Sequence, residues 1–316
     1  MTDAQFKKAS WDWVQNLPDT TAATATWGDI GDWDVSGVVD FRAAFSKYRS
    51  EAGGSASGSN PNAVKFFGIG LSKWKTTSAT SLYATFKKAS EFNADLSAWD
   101  VSRVTILQET FQDASKFDAT GLGKWNTAKV KSLYATFSGL AEMNADLGAW
   151  DLANVGRLDS VFYTATKYTG TGIHKWNVVK VVHMTSAFRG ASKFIGTGLD
   201  KWNTASVTSL EATFRDATAM NADLSGWFVD KVVIGKYTSM ETTFKEASSL
   251  SSCNKRKIAD AWAGNLAFKA TSYTADWTAD ACPIVVRSAM IYRLYHSQII
   301  DMHVNEQTNT SLPSGP

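Results

Sequence analysis

The chain has 316 residues, 44% of them hydrophobic and 12% aromatic, which excludes a disordered polymer and leaves ample material for a packed core. Its 32 basic and 30 acidic residues are spread throughout for a net charge of +2, so no basic block marks a nucleic-acid-binding surface. No apolar run reaches the roughly 18–20 residues of a membrane span.

Residues 1–8 lack the apolar core of a signal peptide, so the chain either works inside the cell or derives from a longer precursor. Over residues 4–16 the spacing of Phe6, Ala9 and Trp13, with Leu17 just beyond, predicts an amphipathic helix. It forms an N-terminal cap over residues 1–26.

A repeat then takes over. Trp33 and Phe45, Trp74 and Phe86, Trp99 and Phe111, Trp125 and Phe137, Trp150 and Phe162, Trp176 and Phe188, and Trp202 and Phe214 are each twelve residues apart, and Trp227 is followed by Phe244 after a longer interval. From Trp74 to Trp227 the step between Trp residues is always 25 or 26. Self-similarity at that period signals units that bury their apolar faces only against their neighbours, with these Trp and Phe residues as the structural core.

Within a unit, apolar residues return at three-, four- and three-residue steps, as in Val104, Leu107, Phe111 and Ala114 or Val130, Leu133, Phe137 and Leu140. That spacing predicts one face of a short helix, opened by residues such as Thr105 or Thr208. Ahead of it, Trp-Asp-Val-Ser-x-Val reads as one narrow β-strand, and lateral stacking would give a parallel ribbon. Behind it lies a turn of two kinds, Asn-Ala-Asp-Leu (93–96, 144–147, 221–224) or a glycine form (68–71, 170–173, 196–199, with 120–122 as a variant). The glycine form carries the extra residue that separates 26 from 25. The expected fold is therefore an α/β repeat: a right-handed, leucine-rich-repeat-like solenoid over residues 27–250. It would have about eight coils of a short parallel strand plus a short helix, with helical end caps.

Two insertions break the period: a Gly/Ser-rich excursion over 51–61 and a bulge over 229–236. Residues 251–283 form a C-terminal cap, with a helix predicted over 257–267. Cys253 and Cys282, the only cysteines, bracket it without a nearby His to complete a metal site, which points to a disulfide and an oxidising compartment. Residues 284–316 are an extension: an apolar stretch to 300 interrupted by Arg287 and Arg293, then a polar tail with the glycosylation sequon Asn309-Thr310-Ser311.

Catalytic chemistry is not visible. Gly-x-Ser-x-Gly, a phosphate-cradling Gly-x4-Gly-Lys-Ser/Thr and His-Glu-x-x-His are all missing, so no enzyme, cofactor or metal site is expected. His174 and His183 share one repeat but lack a third ligand. Asp95, Asp146 and Asp223 fall in non-adjacent coils, which favours turn closure over a calcium ladder. The row Thr85, Thr110, Thr136, Thr213 and Thr243 reads as hydroxyls bonding to nearby backbone in preference to an ice-binding face. Lys73, Lys124, Lys175 and Lys201 read as a solvated ridge. One register, Tyr83, Gln108, Tyr134, Asp159, Thr185, Glu211 and Glu241, varies in chemistry and is a candidate interaction surface, with covering of the next coil as the equal alternative.

The pattern resembles the BspA-like leucine-rich-repeat family, in the branch of mycoplasma surface lipoproteins and algal proteins of unknown function. The resemblance rests on Trp99-Asp100-Val101-Ser102-Arg103-Val104-Thr105-Ile106-Leu107 with Phe111, preceded by Phe92-Asn93-Ala94-Asp95-Leu96, and on its repetition over residues 27–250. Thr26-Trp27-Gly28-Asp29-Ile30 and the segment from Cys253-Asn254-Lys255-Arg256 to Cys282-Pro283 resemble the entry and closing segments of algal members. Leu stands where Met is usual, and Asn replaces Asp in alternate coils. The resemblance implies a secreted or surface-displayed, non-enzymatic scaffold for adhesion or protein interaction, with an unknown protein or glycan ligand. The alternative is an accessory subunit of a larger assembly, docked through residues 284–316.

Overall fold

A computed structural model of the chain describes residues 1–49, 59–235, 240–279 and 282. The chain divides into two compact units, Met1–Asp280 and Ala281–Pro316, and Cys282 is the one described residue of the second. Residues 51–58 of the excursion, the end of the bulge and the extension over 284–316 lie outside the described residues.

The expected strand does not form, and the reason is local. The residue after each repeat Trp is Asp or Asn in most repeats, and its side chain accepts from the backbone two residues on: Ser102 N to Asp100 Oδ1 at 2.9 Å, Ala128 N to Asn126 Oδ1 at 3.2 Å. Val104 N then donates to Val101 O at 2.9 Å, so the β-prone run is a turn closed by its own polar side chain. Strand-like bridging is reduced to a single residue per repeat. Parallel bridges join Asp40 to Ser81, Ser81 to Ile106, Ile106 to Ser132, Ser132 to Arg157, Arg157 to His183 and His183 to Ser209.

Nor does the expected repeat helix form. From Leu82 to Ala89 the backbone N–H groups alternate between two destinations. Leu82, Ala84, Phe86 and Lys88 donate to Ile106, Gln108, Thr110 and Gln112 of the following repeat, whereas Thr85, Lys87 and Ala89 donate three residues back. An α-helix would send every N–H four residues back and leave none for the neighbour. The alternation is achieved by left-handed residues two before and two after each repeat Phe from Phe86 to Phe214. Ala84 (φ 51°) and Lys88 (φ 59°) flank Phe86, and Glu109 (φ 58°) and Asp113 (φ 58°) flank Phe111. Phe162 lies in the same kind of turn instead of on a helix face. Ser160 and Thr164 (both φ 53°) flank it, and its N–H crosses to Ala187 O of the following repeat at 2.8 Å. Among the described residues there is no extended strand, and helices longer than one turn are confined to the segments outside the repeats and to Pro61–Lys65. The strand-and-helix, leucine-rich-repeat reading is therefore corrected to a succession of turns joined sideways.

The columns of the core run through these turns. All sixteen repeat Trp and Phe residues are buried. The Phe column is continuous, with ring centroids 5.7 Å apart for Phe45–Phe86, 5.6 Å for Phe86–Phe111 and 5.7 Å for Phe188–Phe214. Phe162 occupies the middle of this column, 5.4 Å from Phe137 and 5.6 Å from Phe188. It departs from its counterparts in one respect. Its ring lies within 19° of the Trp176 plane, whereas Phe137 is tilted by 50° against Trp150 and Phe188 by 42° against Trp202.

A second column six residues on packs against the first: Phe92, Phe117, Tyr168 and Phe194, with Met143 and Met220 completing the register. Each repeat indole N–H from Trp74 onward finds a carbonyl in the preceding repeat, such as Trp99 to Leu71 O at 3.0 Å and Trp227 to Leu199 O at 2.7 Å. Buried donors need such partners, which explains why this position is Trp rather than Phe.

The two turn types interlock. Asp95, Asp146 and Asp223 each accept from the amide two residues on, so they close turns. The next repeat presses a left-handed glycine onto two of these turns. A Cβ on Gly121 would lie 2.3 Å from Ser97 N, and one on Gly172 would lie 2.0 Å from Asp146 Oδ1. Such approaches admit glycine alone.

Helix α1(Asp3–Gln15) begins with a capping box between Thr2 and Gln5 and buries Phe6, Ala9, Trp13 and Val14. Phe6 meets Phe41 at 4.8 Å, and Trp13 meets Trp33 edge-on at 5.7 Å, covering the first repeat. Helix α2(Thr21–Trp27) follows, tied to α1 by Trp27 Nε1 donating to Asp12 at 2.9 Å. After the last repeat come α3(Ser252–Trp262), α4(Leu266–Lys269) and α5(Tyr273–Thr278). Trp262, Tyr273 and Trp277 surround Phe244, at 5.9, 5.7 and 5.1 Å.

Candidate functional site

The row from Tyr83 to Glu241 is brought to one register, three residues before each repeat Phe, but it is not a free surface. Tyr83, Gln108, Tyr134, Thr185 and Glu211 are half-buried, Asp159 is buried, and Glu241 is exposed. Most engage neighbouring repeats. Gln108 Nε2 donates to Ser132 Oγ at 3.0 Å, Thr185 Oγ1 and Ser209 Oγ are 2.8 Å apart, and Arg157 bridges Asp159 at 2.9 Å while lying 4.9 Å over the Tyr134 ring. Arg42 lies 5.8 Å over the Tyr83 ring. Burial, then the Glu109 carboxylate, pushes the Tyr83 phenol above its ordinary pKa.

The other sequence candidates resolve individually. The Thr row is fully buried: Thr110 Oγ1 donates at 2.9 Å to both Leu82 O and Leu107 O. Lys73, Lys124, Lys175 and Lys201 are exposed, and Lys73 pairs with Asp32 at 3.1 Å. His174 sits in the turn before Trp176 and His183 in the bridge register, both exposed. No group of His, Cys, Asp or Glu among the described residues is placed to hold a metal ion. Both cysteines are disulfide-bonded, and no helix among the described residues is long and apolar enough to cross a membrane.

Two clefts with exposed apolar rims lie apart from the candidate row, the second at the bulge over 229–236 marked by the break in the period. The first, about 490 Å³, is lined by Trp13, Leu17, Pro18, Ile30, Phe66, Phe67 and Ile69. Its walls are fastened. Asn62 Nδ2 donates to Gln15 O at 2.9 Å, Gln15 Nε2 to Asn60 Oδ1 at 3.1 Å, and Asn93 N to Phe67 O at 3.2 Å. Gly68 and Gly70, both left-handed, press on Phe92 and Gly31 and hold Ile69 outward between them, 81% exposed, with Phe67 54% exposed beside it.

The second cleft, about 310 Å³, involves Val232, Val233, Ile234 and Leu266. Asn265 organises it: its Nδ2 donates to Val229 O at 2.7 Å and Val232 O at 2.9 Å, while its Oδ1 caps α4 by accepting from Phe268 N. The bulge is thereby pinned with Val233 and Ile234 outward. The signal available in the sequence was departure from the repeat. Phe67 stands where most other repeats have Asn93, Asp118, Asn144, Thr169 or Asn221, with Ile195 the one other apolar residue, and Ile69 stands where they have Thr120, Thr171 or Thr197.

These features define a class: a repeat protein built from laterally bonded turns, with aromatic columns inside and apolar clefts near both ends of its described repeat region. A family model described as "Mycoplasma protein of unknown function, DUF285" matches residues 57–171 and 158–276, more than half of the chain. The chain belongs to that family. No curated protein and no solved structure gives a significant match. The narrower BspA-like resemblance rests on the repeat motif alone.

Proposed function

We propose that the protein is a non-enzymatic binding or adhesion module displayed in an extracellular setting. The observation that carries this reading is the placement of its exposed apolar side chains. Phe67 and Ile69 at one cleft lie beside left-handed glycines pressed onto neighbouring residues. Val233, Ile234 and Leu266 at the other lie beside Asn265, which holds the Val229 and Val232 carbonyls, and all five side chains are exposed. Rigidly presented apolar groups in a cleft are what binding surfaces use, because little ordering entropy is lost on contact. The disulfide-bonded cysteines support an oxidising compartment. The motif shared with BspA-like surface proteins supports display through its sequence, independently of the leucine-rich architecture.

The test is capture of extracellular proteins and arrayed glycans on the immobilised chain, compared with the triple variant V233S/I234S/L266S and the double variant F67N/I69T. A discrete ligand retained by the parent chain and lost by one variant of unchanged melting temperature is expected. Identical retention by all three chains would contradict the reading.

A further inference from the structure

The cleft beside α1 has the properties of a small-molecule site, and this inference deepens the binding reading by naming a ligand class. Its volume of about 490 Å³ falls within the ~300–1,000 Å³ of ligand-holding clefts. Trp13, Leu17, Ile30, Phe66, Phe67 and Ile69 give it an apolar interior. The repeats themselves act as internal controls. At the registers of Phe67 and Ile69 most other repeats carry polar side chains, so neither is required by the repeat, and both are exposed to the cleft and solvent.

Charge at the rim gives the ligand its polarity. Three charged residues line the cleft: Asp29, Lys65 and Glu91. Glu91 is paired with Lys116, and Asp29 Oδ1 accepts from Gly31 N at 2.8 Å. Lys65, exposed at the end of the turn Pro61–Lys65, has no ion pair among the described residues. Its ammonium is the one cation among the described residues lining the cleft, set above an apolar floor and beside the Asp29 carboxylate.

We propose that this cleft binds a small amphipathic anion: an apolar chain or ring seated among Trp13, Phe66, Phe67 and Ile69, with a single carboxylate at Lys65. Binding is a non-covalent capture that moves no proton and breaks no bond.

Titration of the full, oxidised chain with dodecanoate, followed by calorimetry and by displacement of the fluorescent anion anilinonaphthalene sulfonate, tests it. One-to-one saturable binding is expected. The double variant F67N/I69T, which installs residues the other repeats carry, should weaken it by about tenfold or more with an unchanged thermal melt. Lys65→Glu should weaken dodecanoate by about fivefold and leave dodecanol unaffected. No saturable binding, binding that survives F67N/I69T, or equal affinity for dodecyltrimethylammonium would overturn the proposal. The scaffold reading is tested separately, because glycan or protein capture lost only in V233S/I234S/L266S does not involve this cleft.

Discussion

The indole N–H of Trp125 donates to the carbonyl of Leu96 at 3.1 Å, and the same carbonyl also receives Trp99 N at 3.1 Å. One oxygen thus closes the turn of its own repeat and anchors the aromatic core of the next. The relationship recurs from Trp74 to Trp227, with the acceptor always three residues before the preceding repeat Trp. Removing a single indole tests it. Trp125→Phe should cost about 1–3 kcal/mol, from one lost hydrogen bond and part of the buried ring. Trp125→Ala should cost at least about 3–5 kcal/mol. Urea unfolding of the two variants measures both.

Glycine at the interlocked turns provides a graded test. Gly121 (φ 91°) would bring a Cβ within 2.3 Å of Ser97 N, whereas Gly28 (φ 75°) has nothing within 4 Å. Gly28→Ala should carry only the penalty of its glycine-favouring backbone (φ 75°, ψ −179°), about 1–3 kcal/mol. Gly121→Ala adds a backbone collision and should destabilise by clearly more, seen as a larger fall in the denaturation midpoint at unchanged slope. Equal effects would show that the two turns do not interlock.

Acid should loosen the repeats through their turn-closing carboxylates. The Ser36 hydroxyl and amide hold Asp34 below its ordinary pKa, and those of Ser102 do the same for Asp100. A carboxylate whose folded pKa is depressed stabilises the fold above its unfolded pKa of roughly 4, and that contribution is lost as pH falls through the folded value. Stability should therefore decline below about pH 4. Asn126, Asn177 and Asn203 close the same turn without a charge, so Asp100→Asn should fold and show a shallower acid decline. A steeper decline would contradict this account of the turn.

Cys253 and Cys282 are both disulfide-bonded, and the chain between them carries most of α3 with all of α4 and α5. A loop of that length constrains the unfolded chain by about 3–4 kcal/mol. Reduction, or C253S/C282S, should lower the melting temperature and leave the central repeats folded, since each repeat contacts only its neighbours. The measurement is calorimetry with and without reductant, and an unchanged melt would place the bond outside the stabilising cap.

The period, the Trp and Phe columns and the need to cover the terminal repeats were legible because they depend on burial, which apolar spacing reports directly. The local backbone was not. Val101 and Val104 look β-prone, but Asp100 closes a turn through them, and a three–four–three spacing mimics a helix when two residues per repeat are left-handed. Phe162 shows both sides: its place in the buried column follows from spacing, while the left-handed Ser160 and Thr164 beside it carry no sequence mark. Ala84 and Ala135 likewise give no hint of positive φ, and only Gly139 and Gly190 in the sister register do. The candidate row was located by register, yet its side chains largely engage neighbouring repeats, as Gln108 does with Ser132 and Thr185 with Ser209. The cleft at Phe67 and Ile69 was not legible because those residues flank the glycines of a turn, and the periodic core pattern leaves that position unspecified.

At the centre of the fold, the described repeats are laterally bonded turns with neither an extended strand nor an α-helix. Backbone NMR of the isotopically labelled chain measures it most directly, through the chemical shifts and amide–Hα couplings of residues 82–89 and 107–114. The structure predicts left-handed signatures at Ala84, Lys88, Glu109 and Asp113, alternating with right-handed neighbours. An unbroken run of helical shifts across either segment would contradict it.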